Sequence, residues 1–319
     1  MNKLGEAVDI LLATYNGEKY IREQIYSILN QTYRNFRLII SDDNSTDNTL
    51  SIINEYAKID NRIIVFEQEK NLGSTANFEF LLKKVTCRYY MLSDQDDIWL
   101  PDKVEKSLQK LIQTQSDLVF TDLEVVNKDL KIVNKSFWKL KGFSKKIRKH
   151  CNFEGLYLNN FITGCTIISK KDFIDKILPL PKNSKYLIHD YWISLVVSRY
   201  GKISYLNRTY VLYRQHENNQ LGSKRHSDSI KKLKQIRDLF VDVKIDHFKV
   251  FIEKENLFDE KTKKINKQAI EYFEKLQKIK YANFNIKDWV LFFKLYKYEK
   301  FTYIMLNFII LNFPVITKI

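Results

Sequence analysis

Cysteine is scarce in this chain, a long apolar run is missing and so is a glycine-rich loop, and each shortage removes a class of protein. Cys87, Cys151 and Cys165 are the only 3 cysteines in 319 residues. They are far apart, odd in number and without a Cys-x-x-Cys pair, so neither a disulfide framework nor a zinc site is indicated. A reducing compartment follows as the simpler reading. Near the start, Val8 to Ala13 is too short, and too soon broken by Asp9, to be the apolar core of a secretion signal; the expectation is a cytoplasmic protein. The C-terminal stretch Phe301 to Ile316 contains Asn307, Asn312 and Pro314, whereas a spanning helix needs about 20 predominantly apolar residues. After the first apolar segment, Ala13-Thr-Tyr-Asn-Gly17 offers neither a run of glycines nor a basic residue, which tells against nucleotidyl transfer.

What is present is apolar and basic. A hydrophobic content of 45%, with 14% aromatic residues, suffices for one large core, or one core plus a smaller appended domain. The formal net charge is +15, as for a partner of nucleic acid, an anionic membrane surface, or simply a lysine-rich solvated surface. Residues 223–319 carry 21 Lys and Arg against 12 Asp and Glu, while the other 222 residues carry 32 against 26. The basic excess therefore belongs to the C-terminal part. Nucleic-acid binding would want it beside the motif-bearing loops, and those loops are acidic.

The first half alternates apolar segments with amphipathic ones. Strands are expected at Val8 to Ala13, Phe36 to Ile40, Arg62 to Phe66 and Arg88 to Leu92. Helices are expected from Glu18 to Asn30, from a cap at Ser45 or Asp47 to about Lys58, and from Gly73 through Leu82. Strand and helix in alternation with short connections predict an α/β fold with a mostly parallel central sheet and helices on both faces. Further short strands are expected at Leu118 to Thr121, Ile203 to Leu206 and Tyr210 to Tyr213, and a helix opening at Ile188. Residues 1–222 would form this domain, with halves of about 1–122 and 123–222, and 223–319 a basic α-helical region.

In such sheets ligands bind beyond the carboxyl ends of the strands. There this chain places Thr14-Tyr-Asn-Gly17, Ser41-Asp-Asp-Asn-Ser-Thr-Asp47 and Ser93-Asp-Gln-Asp-Asp97. Three carboxylates in four positions repel one another unless a cation or hydrogen-bond donors neutralise them. Asp94 and Asp96 can point to one side and offer the oxygen ligands that suit Mg2+ or Mn2+. Asp97 or Asp102 would serve equally well as a cap for the helix that starts near Pro101.

The ordered set LLATYNGEKYIREQIYSILNQTYRNFRLIISDDNSTDNT, NLG and SDQDDIWLPDKV resembles the family 2 inverting glycosyltransferases with a GT-A fold. Its DQDDIW version is similar to the rhamnosyltransferase-like members that build bacterial surface polysaccharides. The resemblance covers roughly residues 7–220. It implies that Ala13, Thr14, Tyr15, Asn16 and Asp94 contact a nucleotide and that Asp43 accepts a hydrogen bond from its base. Asp94 and Asp96 would form the Asp-x-Asp pair for Mn2+ or Mg2+, Asp96 being the direct ligand, with His216 reaching the metal or the pyrophosphate and Arg214 a phosphate. Asp190 would be the base that takes the proton of the acceptor hydroxyl. Thr163 and Gly164 would line the acceptor site, Gly164 having also the simple reading of a turn at positive φ. Trp99 and His189 are candidates for holding the acceptor sugar, and Trp99 would equally pack beneath the loop.

The donor implied is a nucleoside-diphosphate sugar, first dTDP-rhamnose, otherwise a UDP-linked galactose, glucose or N-acetylhexosamine. The acceptor implied is a lipid-linked or polysaccharide glycan, and no nucleic acid is involved. The stretch Trp289 to Lys300 interleaves lysine with aromatics and precedes Phe301 to Ile316, which suits helices lying on the inner face of an anionic membrane. A helical bundle or a homodimer contact would bury the same residues.

Overall fold

The computed structural model describes residues 5–143, 151–157, 160–182, 184–216 and 230–278. Two compact units are present, one built from Met1–Phe153, Asn160–Lys182 and His189–Ser223, the other from Glu154–Asn159, Asn183–Ile188 and Lys224–Ile319.

The first unit is organised by one nine-stranded sheet. Its parallel part holds β1 (Val8–Thr14), β2 (Phe36–Asp42), β3 (Ile63–Glu67) and β4 (Tyr89–Ser93) in the order β3-β2-β1-β4. Val8, Ile10, Leu11 and Leu12 on β1 are fully buried, as a strand covered on both faces requires. Between these strands run α1 (Ile21–Leu29), α2 (Thr49–Ile59) and α3 (Ser74–Lys83). Ile21, Ile25 and Ile28 make the buried stripe of α1 at the helical period.

Beyond β4 the sheet becomes mixed. The remaining strands are β5 (Ile98–Trp99), β6 (Leu118–Asn127), β7 (Ile132–Asn134), β8 (Ile168–Lys170) and β9 (Ile203–Gln215). β8 is antiparallel to both β4 and β6, β9 is parallel to β6, β5 pairs antiparallel with β9, and β7 pairs with β6. The expected breaks at Thr121 and around Asn207 are thus absent: β6 and β9 are each one long strand that absorbs its irregularities as register shifts.

Two expected caps also differ. Asn48 occupies the cap position of α2, while the Asp47 carboxylate takes the Thr49 and Glu18 amides. At the start of α4 (Lys103–Thr114) Asp102 makes no side-chain cap, and Gln31 Oε1 accepts the Val104 amide instead. Asp47 thus ties the entry of α2 to the segment before α1, and Gln31 ties the entry of α4 to the segment after it.

In the second unit, Phe248 and Phe251 of the helix Ile230–Glu253 pack against Tyr157, Phe273 of the helix Glu260–Lys278 stacks on Phe248, and the Tyr157 hydroxyl meets Asn266. Among the described residues no helix is long and apolar enough to cross a membrane. The expected interfacial stretches Trp289 to Lys300 and Phe301 to Ile316 lie outside the described residues.

Candidate active site

Three loops meet at the carboxyl ends of β1, β2 and β4. The first two are held by a dense set of hydrogen bonds. Thr14 Oγ1 donates to Asp42 Oδ1 (2.8 Å), and the two Asp42 oxygens take the Ser45 hydroxyl and amide. Asn16 adopts φ +47 and, with Oδ1, accepts the Thr46 amide, while its own amide donates to Ser45 Oγ. Asp43 is 2% exposed, and each of its oxygens accepts one backbone amide, from Leu72 and from Gly73, both at 2.8 Å. The turn that β3 delivers is therefore fastened to the end of β2. Ala13 is half-buried, whereas Tyr15 and Asn16 are exposed.

The third loop is acidic, and its groups are crowded. Burial pushes the Asp94 carboxyl up to about 7, and the charges of Asp96 and Asp190 add to this. Asp97 is fully buried, its Oδ1 accepting the Arg214 amide at 3.2 Å, and burial raises its pKa well above the carboxylate range. Asp94, Asp97 and Cys165 bring their ligand atoms within 4.8 Å of one another. Asp96 instead turns to His216, whose Nε2 lies 2.8 Å from Oδ2. His216 is packed against the Tyr20 ring, 4.8 Å between centroids.

Facing this loop is the start of the helix His189–Tyr200. Asp190 is 7% exposed; its Oδ2 accepts the Gly164 amide at 2.9 Å and its Oδ1 the Tyr191 amide at 2.6 Å. Burial raises its pKa to about 6 against the pull of those amides. A side chain at position 164 would put its Cβ 3.2 Å from Asp190 Cβ. Gly164 is thus small for the sake of space. His189 stacks on Phe78 at 4.0 Å and is kept neutral by burial, its pKa near 3.

The profile of glycosyl transferase family 2 matches residues 9–178, more than half of the chain and all three loops. The chain belongs to this family. The dTDP-rhamnosyl transferase RfbG of Shigella flexneri is 30% identical over 223 residues, 66% of this chain and 74% of that protein. Among solved structures, TarS of S. aureus with UDP-GlcNAc superposes with a TM-score of 0.57 at 17% identity, covering 98% of this chain and 90% of that one. The mannosyltransferase PcManGT of Pyrobaculum calidifontis, solved with GDP-Man and Mn2+, gives 0.53 at 14% identity, covering 94% and 77%. The fold is that of the GT-A glycosyltransferases.

Three sequence expectations change for this glycosyltransferase. Trp99 is 2% exposed and pairs through β5 with Val211, so its ring packs below the acidic loop and offers no face to a sugar. Arg214 is 3% exposed; Nε and Nη1 donate to the carbonyls of Asp96 and Lys128, and Nη2 pairs with Glu23. It braces the acidic loop rather than waiting for a phosphate. Gly164 does not sit at positive φ, where Gly73 and Gly142 do.

Two residues escaped the sequence reading. Lys103 is fully buried, its Nζ 3.2 Å above the centre of the Trp99 ring with no hydrogen-bond partner among the described residues. Burial lowers its pKa to about 7, with the charges of Cys165, Asp97 and Asp94 opposing. The second is Gln95, whose amide bonds twice to the Tyr15 backbone. A lysine in Asp-Lys-Val-Glu-Lys and a glutamine between acids gave no sign of burial or of a partner.

Proposed function

We propose that this glycosyltransferase transfers a sugar with inversion from a nucleoside diphosphate to a hydroxyl of a glycan acceptor, Asp190 being the general base. The observation that carries the reading is the placement of Asp190 opposite the acidic loop. Its Oδ2 is fixed by the amide of Gly164, next to Cys165, whose Sγ lies within 4.8 Å of the Asp94 and Asp97 carboxylate atoms, and the charge of Asp190 helps to raise the pKa of Asp94. A base with a pKa of about 6 is ionised at neutral pH yet still basic enough to take a hydroxyl proton. Neutral His189 beside it adds no competing positive charge.

On the donor side, the loop of Ala13 to Asn16 and Asp43 would hold the nucleotide. Each Asp43 oxygen keeps one lone pair after the Leu72 and Gly73 bonds, which is what a base N–H needs. The acids fit a divalent ion. Asp97 and Cys165 are sealed beneath the loop, whereas Asp94 and Asp96 are half-buried. A hard cation that must also meet phosphate oxygens is therefore served by Asp94 and Asp96, with His216 next to Asp96. When bound, such an ion supplies Lewis-acid stabilisation of the diphosphate leaving group. The Mn2+ in PcManGT supports this.

For the donor, the name of RfbG favours dTDP-rhamnose, and the UDP-GlcNAc bound to TarS makes UDP-sugars the second choice. The acceptor we propose is a membrane-linked glycan of a bacterial surface polysaccharide. The basic excess of residues 223–319 suits an anionic membrane surface, and Thr163 and Gly164 lie on the acceptor side with Asp190. The deciding experiment is a screen of nucleotide sugars by product mass, with and without Mn2+, repeated with Asp96→Ala. Turnover that needs no metal and survives that substitution sinks the mechanism.

A further inference from the structure

Gln95, the uncharged member of the Asp94 to Asp97 run, bridges the loop after β4 to the loop after β1. Its Oε1 accepts the Tyr15 amide at 2.8 Å and its Nε2 donates to the Tyr15 carbonyl at 2.9 Å. One side-chain amide thereby satisfies both backbone groups of a residue that the sheet has just released, as a neighbouring strand would. The cost of this arrangement is visible next door. A Cβ at position 17 would lie 2.3 Å from Gln95 Oε1 and 2.6 Å from Cδ, while the backbone of Gly17 has no positive φ that would demand glycine. Gly17 is glycine because Gln95 lies across it.

We infer that Gln95 is a positioning residue that locks the nucleotide loop to the metal loop, so that the two ligands are received by one rigid unit. The proposal rests on the assignment of Ala13 to Asn16 to the nucleotide and of Asp94 and Asp96 to the metal. The sequence neighbours of Gln95 are those two acids, so the bridge fastens the Tyr15 backbone to the stretch of chain that carries them. Asn16 is held from the other side by Ser45 and Thr46, and the Gln95 bridge fixes the Tyr15 backbone.

The test is a double-substitution cycle with Gly17→Ala and Gln95→Ala, read by calorimetric affinity for UDP and dTDP in EDTA and by the Mn2+ concentration that half-activates turnover. The loss of two neutral hydrogen bonds predicts about five- to thirtyfold weaker nucleotide binding for Gln95→Ala. The half-activating Mn2+ concentration rises with it. Gly17→Ala, which fits the backbone but displaces the amide, should do the same. In the double variant the second substitution should add less than twofold. Gln95→Glu keeps an acceptor for the Tyr15 amide but sets a carboxylate against the Tyr15 carbonyl, and should bind no better than Gln95→Ala.

Losses that multiply in the double variant would overturn the proposal, as would Gln95→Ala with unchanged affinity and unchanged metal requirement. Thermal midpoints of the four proteins without ligand provide the fold check, and there too the effect of Gly17→Ala should vanish once Gln95 is gone. A wild-type enzyme that bound neither nucleotide would instead refute the assignment of the loops, which separates that failure from the failure of the bridge.

Discussion

The loops after β1 and β2 and the acidic loop after β4 are both crowded with polar groups, and they are treated in opposite ways. In the first pair, Thr14, Asp42, Asp43, Asn16 and Asp47 all find donors or acceptors in the protein. In the second region, Asp97 Oδ2, Lys103 Nζ, Trp99 Nε1 and His189 Nδ1 are buried without a hydrogen-bond partner among the described residues. Buried polar atoms without partners are uncommon, and each costs about 1–3 kcal/mol. The satisfied region is built to keep its shape. In the unsatisfied one burial disfavours the charged forms, raising the pKa of Asp94 and Asp190 and lowering that of Lys103 toward neutrality, the pattern expected where proton transfer or ion binding takes place.

The largest effect expected is on the charged side. Asp190→Asn should lower kcat by about 10²–10⁴-fold, the usual worth of a general base, and leave nucleotide affinity unchanged. A kcat within threefold of wild type would remove Asp190 from the mechanism. Its raised pKa also fixes a sign. The folded protein holds the Asp190 proton up to pH about 6 while the unfolded chain releases it near 4, so this residue costs stability as pH rises through that window. In EDTA, the stability of wild type relative to Asp190→Asn should therefore fall as pH rises from 4 to 7, on top of a pH-independent loss in the variant, whose Nδ2 cannot accept the second of the Gly164 and Tyr191 amides.

Next comes a break on the satisfied side. Asp43→Ala frees the Leu72 amide and leaves the Gly73 amide to Asn71 Oδ1 alone, and hydrogen bonds to a charged acceptor are worth about 1.5–3 kcal/mol each. Chemical denaturation should show a loss of a few kcal/mol accompanied by weaker nucleotide binding. Equal stability would mean that the turn after β3 does not depend on Asp43.

Lys103 gives a smaller and directional effect. Its pKa is about 7 when folded and near 10.5 when unfolded, so between those values the unfolded chain binds more protons and stability rises with pH. Lys103→Met should flatten this rise, measured as denaturation midpoints from pH 7 to pH 10. The smallest effect belongs to Trp99→Phe, which keeps the packing and removes an indole N–H without a partner. Turnover should stay within about twofold, as for a substitution that touches no ligand, and stability should change by no more than about 1–2 kcal/mol. A tenfold rise in acceptor KM would restore Trp99 to the acceptor site.

The sequence made the parallel half of the fold legible because its strands are short apolar runs ended by polar turns, and its helices have a clean period, as with Ile21, Ile25 and Ile28. It made the other half less so. The antiparallel pairings of β8 with β4 and of β5 with β9 are contacts between distant segments with no local signature, and Asn207-Arg208 resembles a break although β9 runs through it. Within the site, the acids were visible because carboxylates in a row are costly without a reason. Gln95 and Lys103 were not, because a side chain that bonds to backbone or is buried on edge looks the same in sequence as one in water. Trp99 shows the converse: an aromatic beside a ligand loop suits a sugar until its burial is known.

β9 has one more consequence. Leu118 pairs with Ile203, yet Asn127 pairs with Gln215, so over the same run β9 has taken in three more residues than β6, at the shifts between Thr121 and Glu124. An odd insertion turns a strand over, exchanging its two faces from that point on. Arg214 and His216 lie past the turnover, and their reach to the Asp96 carbonyl and carboxylate depends on it. The strand works as a gauge. Deleting one residue near Asn207 would leave every group of the acidic loop chemically intact and present it with the wrong side of β9.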